Sequence, residues 1–221
     1  MKNFYFLLEK LATVSQYLSY NHYVELLPYN DLNKIKYYIS ISEQQNLSIR
    51  QLREKIKNKE YERLPIETRN KIENNNKNNE VIDYIKNPIL IKNNTNNKEI
   101  TEKILQKLIL EDIESFMKEL GNSFCFISSE YKIKVDNFYN FIDILLYNIE
   151  FNCYVVIELK TTELKKEHIG QIQVYMNYID NNLKKVNQDK TIGIIICKKN
   201  RKFVIEYCSD RRIISREYEL V

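Results

Sequence analysis

The sequence predicts an α/β protein, in which a helical N-terminal domain is followed by a mixed β-sheet flanked by helices. Three observations predict it. Apolar residues recur at spacings of three and four from Phe4 to about Asn70. An asparagine-dense stretch follows. From Ile100 the pattern runs helix, strands, helix, strands, the order expected of a sheet covered on its faces. The expected organisation is a helical domain over 1–70, an Asn-rich linker over 71–99, and the sheet domain over 100–221.

In the first segment Leu7, Leu8, Leu11, Val14 and Leu18 mark one helix, Ile35, Tyr38, Ile39 and Ser42 a second, and Ile49, Leu52 and Ile56 a third. Pro28 and Pro65 punctuate them. Ser48 is positioned as the N-cap of the third helix, which carries Arg50, Arg53, Lys55 and Lys57. Such a face suits phosphates, and equally a solvated helix surface. Asparagine favours turns over ladders and helix interiors, so the linker is read as loop with a short apolar anchor at Ile89, Leu90 and Ile91. "TEKILQKLILEDIESFMKELG" reads as one long amphipathic helix, capped by Thr101 and stopped by Gly121. Strand-like runs follow at "FCFISSEYKIKV", "NFIDILLYN", "CYVVIELK", "TIGIIICK" and "FVIEYC", with the helix "KKEHIGQIQVYMNYIDNNLKKV" between the third and fourth.

With 221 residues the chain can bury a substantial core. Its net charge of +4 permits a polyanionic partner without arguing for one. Cys125, Cys153, Cys197 and Cys208 form no CxxC pair and have no histidines at metal-ligand spacing, so reduced thiols are expected. Glu9 and Lys10 interrupt the only apolar stretch near the N-terminus, and no run is long enough to span a bilayer. The expected location is the cytoplasm, with no membrane association.

The charges inside the apolar strands carry the chemistry. "CYVVIELK" holds Glu158 and Lys160 in a run that otherwise reads as buried on both faces, and "NFIDILLYN" holds Asp143. A hairpin turn centred between Glu150 and Phe151 places Asp143 opposite Glu158, where Cβ atoms lie about 4.5–5.5 Å apart. Two buried carboxylates at that distance repel unless one is protonated or a cation joins them. Lys160 shares the face of Glu158, because strand side chains alternate. The set suits Mg²⁺, with Mn²⁺ as a substitute, and the lysine stands beside the expected water nucleophile. The same three residues also fit a structural ion-pair network. Gln171 and Tyr175, one turn apart on the following helix, are candidates to flank the site, Gln171 beside the attacking water or a phosphate with the small Gly170 permitting close approach. Glu111 is a candidate further carboxylate. His22 and His168 are read as surface or satisfied polar residues.

These residues resemble the PD-(D/E)xK nuclease superfamily, with Asp143 as its acidic residue and Glu158, Leu159 and Lys160 as its E-x-K element. More narrowly, "FIDILLYN", "CYVVIELK", "GQIQVYMNYID", "TIGIIICK" and "VIEYC" are similar to the C-terminal domain of the YhcG family of bacterial nucleases, also called DUF1016. The segment "LSYNHYVELLPYNDLNKIKYYISISEQQNLSIRQLREKIKNKEYERL" is similar to that family's helical N-terminal domain, here shortened. The resemblance implies a restriction-endonuclease-like mixed β-sheet flanked by helices and a metal-dependent nuclease acting on DNA. It further implies Asp143 and Glu158 as metal ligands, Lys160 as the catalytic lysine and Gln171 as its helix-borne accessory; the Leu159 carbonyl and Glu111 are candidate further ligands read from the residues themselves. Arg50, Arg53, Lys165 and Tyr175 are the expected nucleic-acid contacts. Relatives tend to carry Arg-Gln where this chain has Ser129 and Glu130, which removes a positive charge near the site. Two other readings fit the same sequence: a non-catalytic nucleic-acid-binding module, and a protein-interaction component of a defence or mobile-element system. A homo-oligomer or a protein partner is compatible with each.

Overall fold

A computed structural model of the chain describes residues 18–74, 80–94, 99–121, 123–208 and 210–221. Two units divide the chain, Met1–Asn79 and Glu80–Val221. The expected first helix, through Leu7, Leu8, Leu11 and Val14, lies outside the described residues, as do the asparagine-rich runs at 75–79 and 95–98.

The first unit contains α1 (Tyr20–Leu26), α2 (Leu32–Gln44), α3 (Ile49–Lys57) and α4 (Ile66–Glu73). Asp31 caps α2 by accepting from the backbone of Asn33 and Lys34. Ser48 caps α3 as expected, its hydroxyl accepting from Gln51 N–H while Gln51 Oε1 accepts from Ser48 N–H. The apolar stripes meet around Tyr23, Leu26, Ile35, Tyr38 and Leu52. His22 is buried and satisfied at both nitrogens: Nδ1 accepts from Ser19 N–H at 3.2 Å, and Nε2 lies 2.9 Å from the Leu47 carbonyl. The basic face of α3 is largely engaged within the unit. Arg50 lies 3.6 Å from Glu54, Arg53 2.7 Å from Glu25 and Lys55 2.9 Å from Glu60. Arg50 and Arg53 thus each have a carboxylate neighbour while their side chains stay exposed.

The second unit runs α5 (Val81–Tyr84), β1 (Ile89–Ile91), α6 (Glu102–Glu111), α7 (Ile113–Leu120), β2 (Phe124–Val135), β3 (Phe138–Asn148), β4 (Cys153–Glu163), α8 (Lys166–Asn182), β5 (Asp189–Lys199), α9 (Lys202–Glu206) and β6 (Ile213–Leu220). The sheet order is β1-β6-β5-β4-β3-β2. The first four of these strands are parallel and the last two antiparallel. β4 and β5 lie in the middle because they are apolar on both faces. On one face Val155, Ile157, Leu159 and Ile194 pack with Leu105, Leu108 and Ile109 of α6 and Phe116 and Leu120 of α7. On the other, Val156, Ile195 and Cys197 pack with Ile172, Tyr175, Met176 and Ile179 of α8, and Val204 and Ile205 of α9 close the edge. The mixed sheet flanked by helices is the architecture expected.

Three expectations need correction. The stretch 71–99 is not all linker: Ile89, Leu90 and Ile91 pair with Tyr218, Glu219 and Leu220 as the sheet's edge strand, because the asparagines flank this apolar run without interrupting it. The single long helix divides at Asp112, whose extended backbone (φ −132°) and side chain cap α7 through Ser115 N–H. "FVIEYC" is largely the short helix α9, and the last strand is "IISREYEL". A run as short as Phe203–Val204–Ile205 does not reveal its period, so only packing decides it.

The four cysteines are free thiols. Burial pushes Cys153 up to about 11 and Cys197 up to about 12, which keeps both protonated. No helix among the described residues is long and apolar enough to cross a membrane.

Gly193 sets how closely α8 lies on β5. A Cβ there would stand 2.6 Å from Met176 Sδ and 2.9 Å from Ile172 Cδ1, whereas one on Gly170 would meet nothing within 4 Å. Gly193→Ala is expected to destabilise the protein by about 1–3 kcal/mol through overpacking. Gly170→Ala, on an exposed helical position, should stabilise it by up to about 1 kcal/mol. Thermal melts of the two variants check the pair, and equal shifts would contradict it.

Candidate active site

The turn over residues 149–152 fixes the register of the two strands that carry the charges. Asn148 Oδ1 accepts from Phe151 N–H at 3.0 Å, and Asn152 takes a left-handed φ of 48°, which asparagine tolerates. Asn148 pairs with Cys153, and the ladder runs unbroken to Ile144 against Ile157. One step further the same register sets Asp143 opposite Glu158. There strand-to-strand backbone pairing ends, and side chains take over: Asp143 Oδ2 accepts Leu159 N–H at 2.7 Å, while the Asp143 carbonyl accepts the Gln106 amide at 2.9 Å.

Glu158 is 2% exposed and Lys160 9%. Lys160 Nζ donates to Glu158 Oε1 at 2.8 Å and reaches Glu102 Oε2 at 3.4 Å. Glu158 Oε2 is buried and has no hydrogen-bond partner. Burial raises the pKa of Glu158 to about 7, with the charge of Asp143 pushing the same way and Lys160 opposing. Asp143 is also raised, by burial first, against the Leu159 N–H bond that favours its ionised form. For Lys160 burial works to discharge the amine, but the bond to Glu158 and the charges of Glu158, Glu102 and Asp143 outweigh it, so its pKa is raised. The amine is an ammonium at neutral pH.

α8 supplies the flank. Gln171 Nε2 donates to the Tyr175 hydroxyl at 2.9 Å. Burial raises the Tyr175 pKa, the Gln171 bond opposes this, and the charges of Glu158 and Asp143 add to the rise, so the hydroxyl lies within their field. His168, in the first turn of α8, has its pKa lowered by burial and by the charge of Lys160. Across the β2–β3 ladder Ser129 pairs with Ile144 and Tyr131 with Ile142, which leaves Glu130 opposite Asp143. Glu130 has φ 48°, an unfavourable conformation for a glutamate, and its charge adds to the rise at Asp143.

The structure thus brings Asp143, Glu158, Leu159 and Lys160 together, with Gln171 tied to Tyr175 beside them. Three expectations are corrected. Glu111 is at the far end of α6, nine residues and about 13 Å of helix axis from Glu102, and pairs with Lys107 at 3.6 Å. Tyr175 is 4% exposed and forms part of the wall, not a nucleic-acid contact surface. Gly170 is exposed, and no protein atom makes use of its missing side chain. His168 is a satisfied polar residue, as expected, and lies in the field of the site. Lys165, exposed at the α8 N-cap, donates its backbone N–H to His168 Nδ1 at 3.2 Å. Glu102 and Gln106 are site residues that sequence reasoning missed, and Glu130 was noted only for the positive charge that the Ser129–Glu130 pair lacks. An acidic residue just after a threonine N-cap is the ordinary complement of a helix dipole, so nothing marked Glu102 out.

Among the described residues no three His, Cys, Asp or Glu side chains form a ready-made metal cage. Two carboxylates, one with an unpartnered buried oxygen, nonetheless fit a hard divalent cation that keeps several waters. The Leu159 carbonyl adds a third donor, since the paired N–H and C=O of a strand residue face the same neighbour.

The chain belongs to the family of the YhcG PDDEXK nuclease domain, whose family model matches residues 82–220. Residues 1–63 match the DUF1016 N-terminal domain. A relative in Escherichia coli (strain K12), "Putative nuclease YhcG", is 23% identical over 99 residues, 45% of this chain; the match spans 26% of that protein's length. Among solved structures, a repair endonuclease from Pyrococcus abyssi is similar with a TM-score of 0.38 and 16% identity, over 57% of this chain and 49% of the other. The structure of an EndoMS–dsDNA2 complex is similar with a TM-score of 0.38 and 18% identity, over 57% of this chain and 48% of the other.

The raised pKa of Glu158 has a definite sign for stability. Folding favours its protonated form, so the benefit is full below the unfolded value near 4.5 and is lost as pH rises through about 7. In metal-free protein Glu158→Gln is expected to stabilise the fold at pH 8, by on the order of 3 kcal/mol at most and seen as a higher Tm, and to change it little at pH 4.5. Scanning calorimetry in EDTA at the two pH values checks this; equal shifts at both would contradict it.

Proposed function

We propose that the chain is a divalent-metal-dependent nuclease that hydrolyses phosphodiester bonds in DNA, acting in the cytoplasm. The observation that carries this reading is the buried convergence of Asp143, Glu158 and Lys160, with one Glu158 oxygen left unpartnered in a low-dielectric setting. Buried polar atoms are otherwise almost always bonded, so an orphan carboxylate oxygen beside a second carboxylate signals an absent cation. Membership of the PDDEXK family supports the same reaction class.

Asp143, Glu158 and the Leu159 carbonyl would hold the ion, Mg²⁺ or Mn²⁺. When bound it supplies Lewis-acid stabilisation of charge on the phosphate and a water of lowered pKa. Lys160, charged and buried, would donate to a water or a phosphate oxygen beside the carboxylates and neutralise charge developing there. Glu102 keeps a second carboxylate on the ammonium, and Gln106 fixes the backbone of Asp143. Gln171 and Tyr175 restrict the volume beside Lys160 and orient a polar edge toward the substrate.

Purified protein with Mg²⁺ or Mn²⁺ is expected to cut at least one of single-stranded, duplex or branched DNA. Asp143→Asn, Glu158→Gln and Lys160→Ala should each slow cleavage by about 10²-fold or more, while Glu111→Ala leaves the rate unchanged. A wild-type chain that cuts none of these substrates, or Lys160→Ala that cuts as fast as wild type, would sink the proposal. Salt-sensitive binding without cleavage would instead favour a non-catalytic DNA-binding module.

A further inference from the structure

A second feature lies on the other side of α8. Phe203 and Tyr207, one helical turn apart at α9 and its C-cap, are 73% and 86% exposed although Val204 and Ile205 beside them are packed into the core. They face a groove of about 560 Å³ between α8 and α9, floored by Ile169 and Val204 and bordered by Lys166 and Gln173. That size falls within the usual range for small-ligand sites. Two exposed aromatic rings on one groove are unusual on a soluble surface.

The surroundings select the occupant. "KKNRK" places four cations in the five residues 198–202, between β5 and α9. Glu163 neutralises part of this, pairing with Lys199 and Arg201. Lys165, Lys166 and Lys198 are exposed, and among the described residues they make no ion pair. The groove also shares a sheet edge with the active site. Cys197 pairs with Lys160 and Lys199 with Glu163, so Lys198 follows directly on the position level with the catalytic lysine. From Lys160 to Glu163 is about 10 Å along β4. Aromatic rings with the unpaired Lys166 on the groove rim and Lys165 next to it, close to a site for a phosphodiester, match the stacking platforms that hold single-stranded nucleic acid. An apolar segment of a protein partner would account for the rings but not the cations.

We propose that this groove receives an unpaired base of the DNA strand flanking the scissile phosphate, stacked on Phe203 and Tyr207, with Lys166 on its rim and the neighbouring Lys165 holding the adjoining phosphates. The substrate class so defined is DNA that is single-stranded or opened at the cut. This rests on the nuclease reading. In EDTA, the full chain is expected to bind a fluorescein-labelled mixed-sequence single strand of roughly twenty nucleotides, measured by anisotropy. The Phe203→Ala/Tyr207→Ala variant should bind it about tenfold more weakly or worse, with an unchanged salt slope. Phe203→Trp/Tyr207→Trp should restore binding. An abasic strand of the same length should bind the wild type and the double alanine variant equally. Undiminished binding of the base-bearing strand by the alanine variant overturns the proposal and assigns the groove to a protein partner, and an equal loss on the abasic strand overturns it too. Wild-type protein that binds through the groove but cuts nothing in Mg²⁺ would refute the nuclease reading alone.

Discussion

The site depends on the hydrogen bond from Leu159 N–H to the Asp143 carboxylate. β3 and β4 could have continued their ladder by exchanging carbonyls. A side chain takes the donor instead, at the one place where the register sets two carboxylates face to face. This bond holds Asp143 against a backbone that a packed sheet has already immobilised, and it favours the charged form in a setting where burial disfavours it. Glu158 has no such support beyond Lys160 and is the carboxylate pushed further toward neutrality. A shared cation, as proposed for this site, would satisfy both at once.

Much of this was legible because strand geometry is periodic. Alternation alone placed Glu158 and Lys160 on one face. A turn centred between Glu150 and Phe151 was enough to fix Asp143 as their neighbour, without an Asn-Gly signal, since Asn148 and Asn152 supply the turn chemistry by other means. Ser48 and Thr101 were readable as caps for the same reason: the requirement is local. β1 and α9 were not, because three or four apolar residues have no measurable period and only their neighbours decide their form.

The side chains supplied by tertiary packing were the hidden part. Glu111 interrupts an apolar run and drew attention, yet Glu102 is the carboxylate that reaches Lys160. Both lie on α6, and which end of that helix meets the site is set by how Leu105, Leu108 and Ile109 seat on the sheet. Glu130 was noted only as a missing positive charge; its left-handed backbone and its place opposite Asp143 make it an added negative one. Charge in this site is therefore more acidic than the motif residues alone indicate, which strengthens the demand for a counter-ion.

The bare Cα of Gly193 has a bearing on precision as well as on stability. Met176 and Ile172 rest where a methyl would be, so α8 lies at the smallest height over the sheet that a helix can take. Gln171 and Tyr175 ride on that helix beside Lys160. The absent methyl thus acts as a spacer of zero thickness: it sets the clearance between the helix-borne layer and the strand-borne layer, and with it the width of the slot beside Lys160.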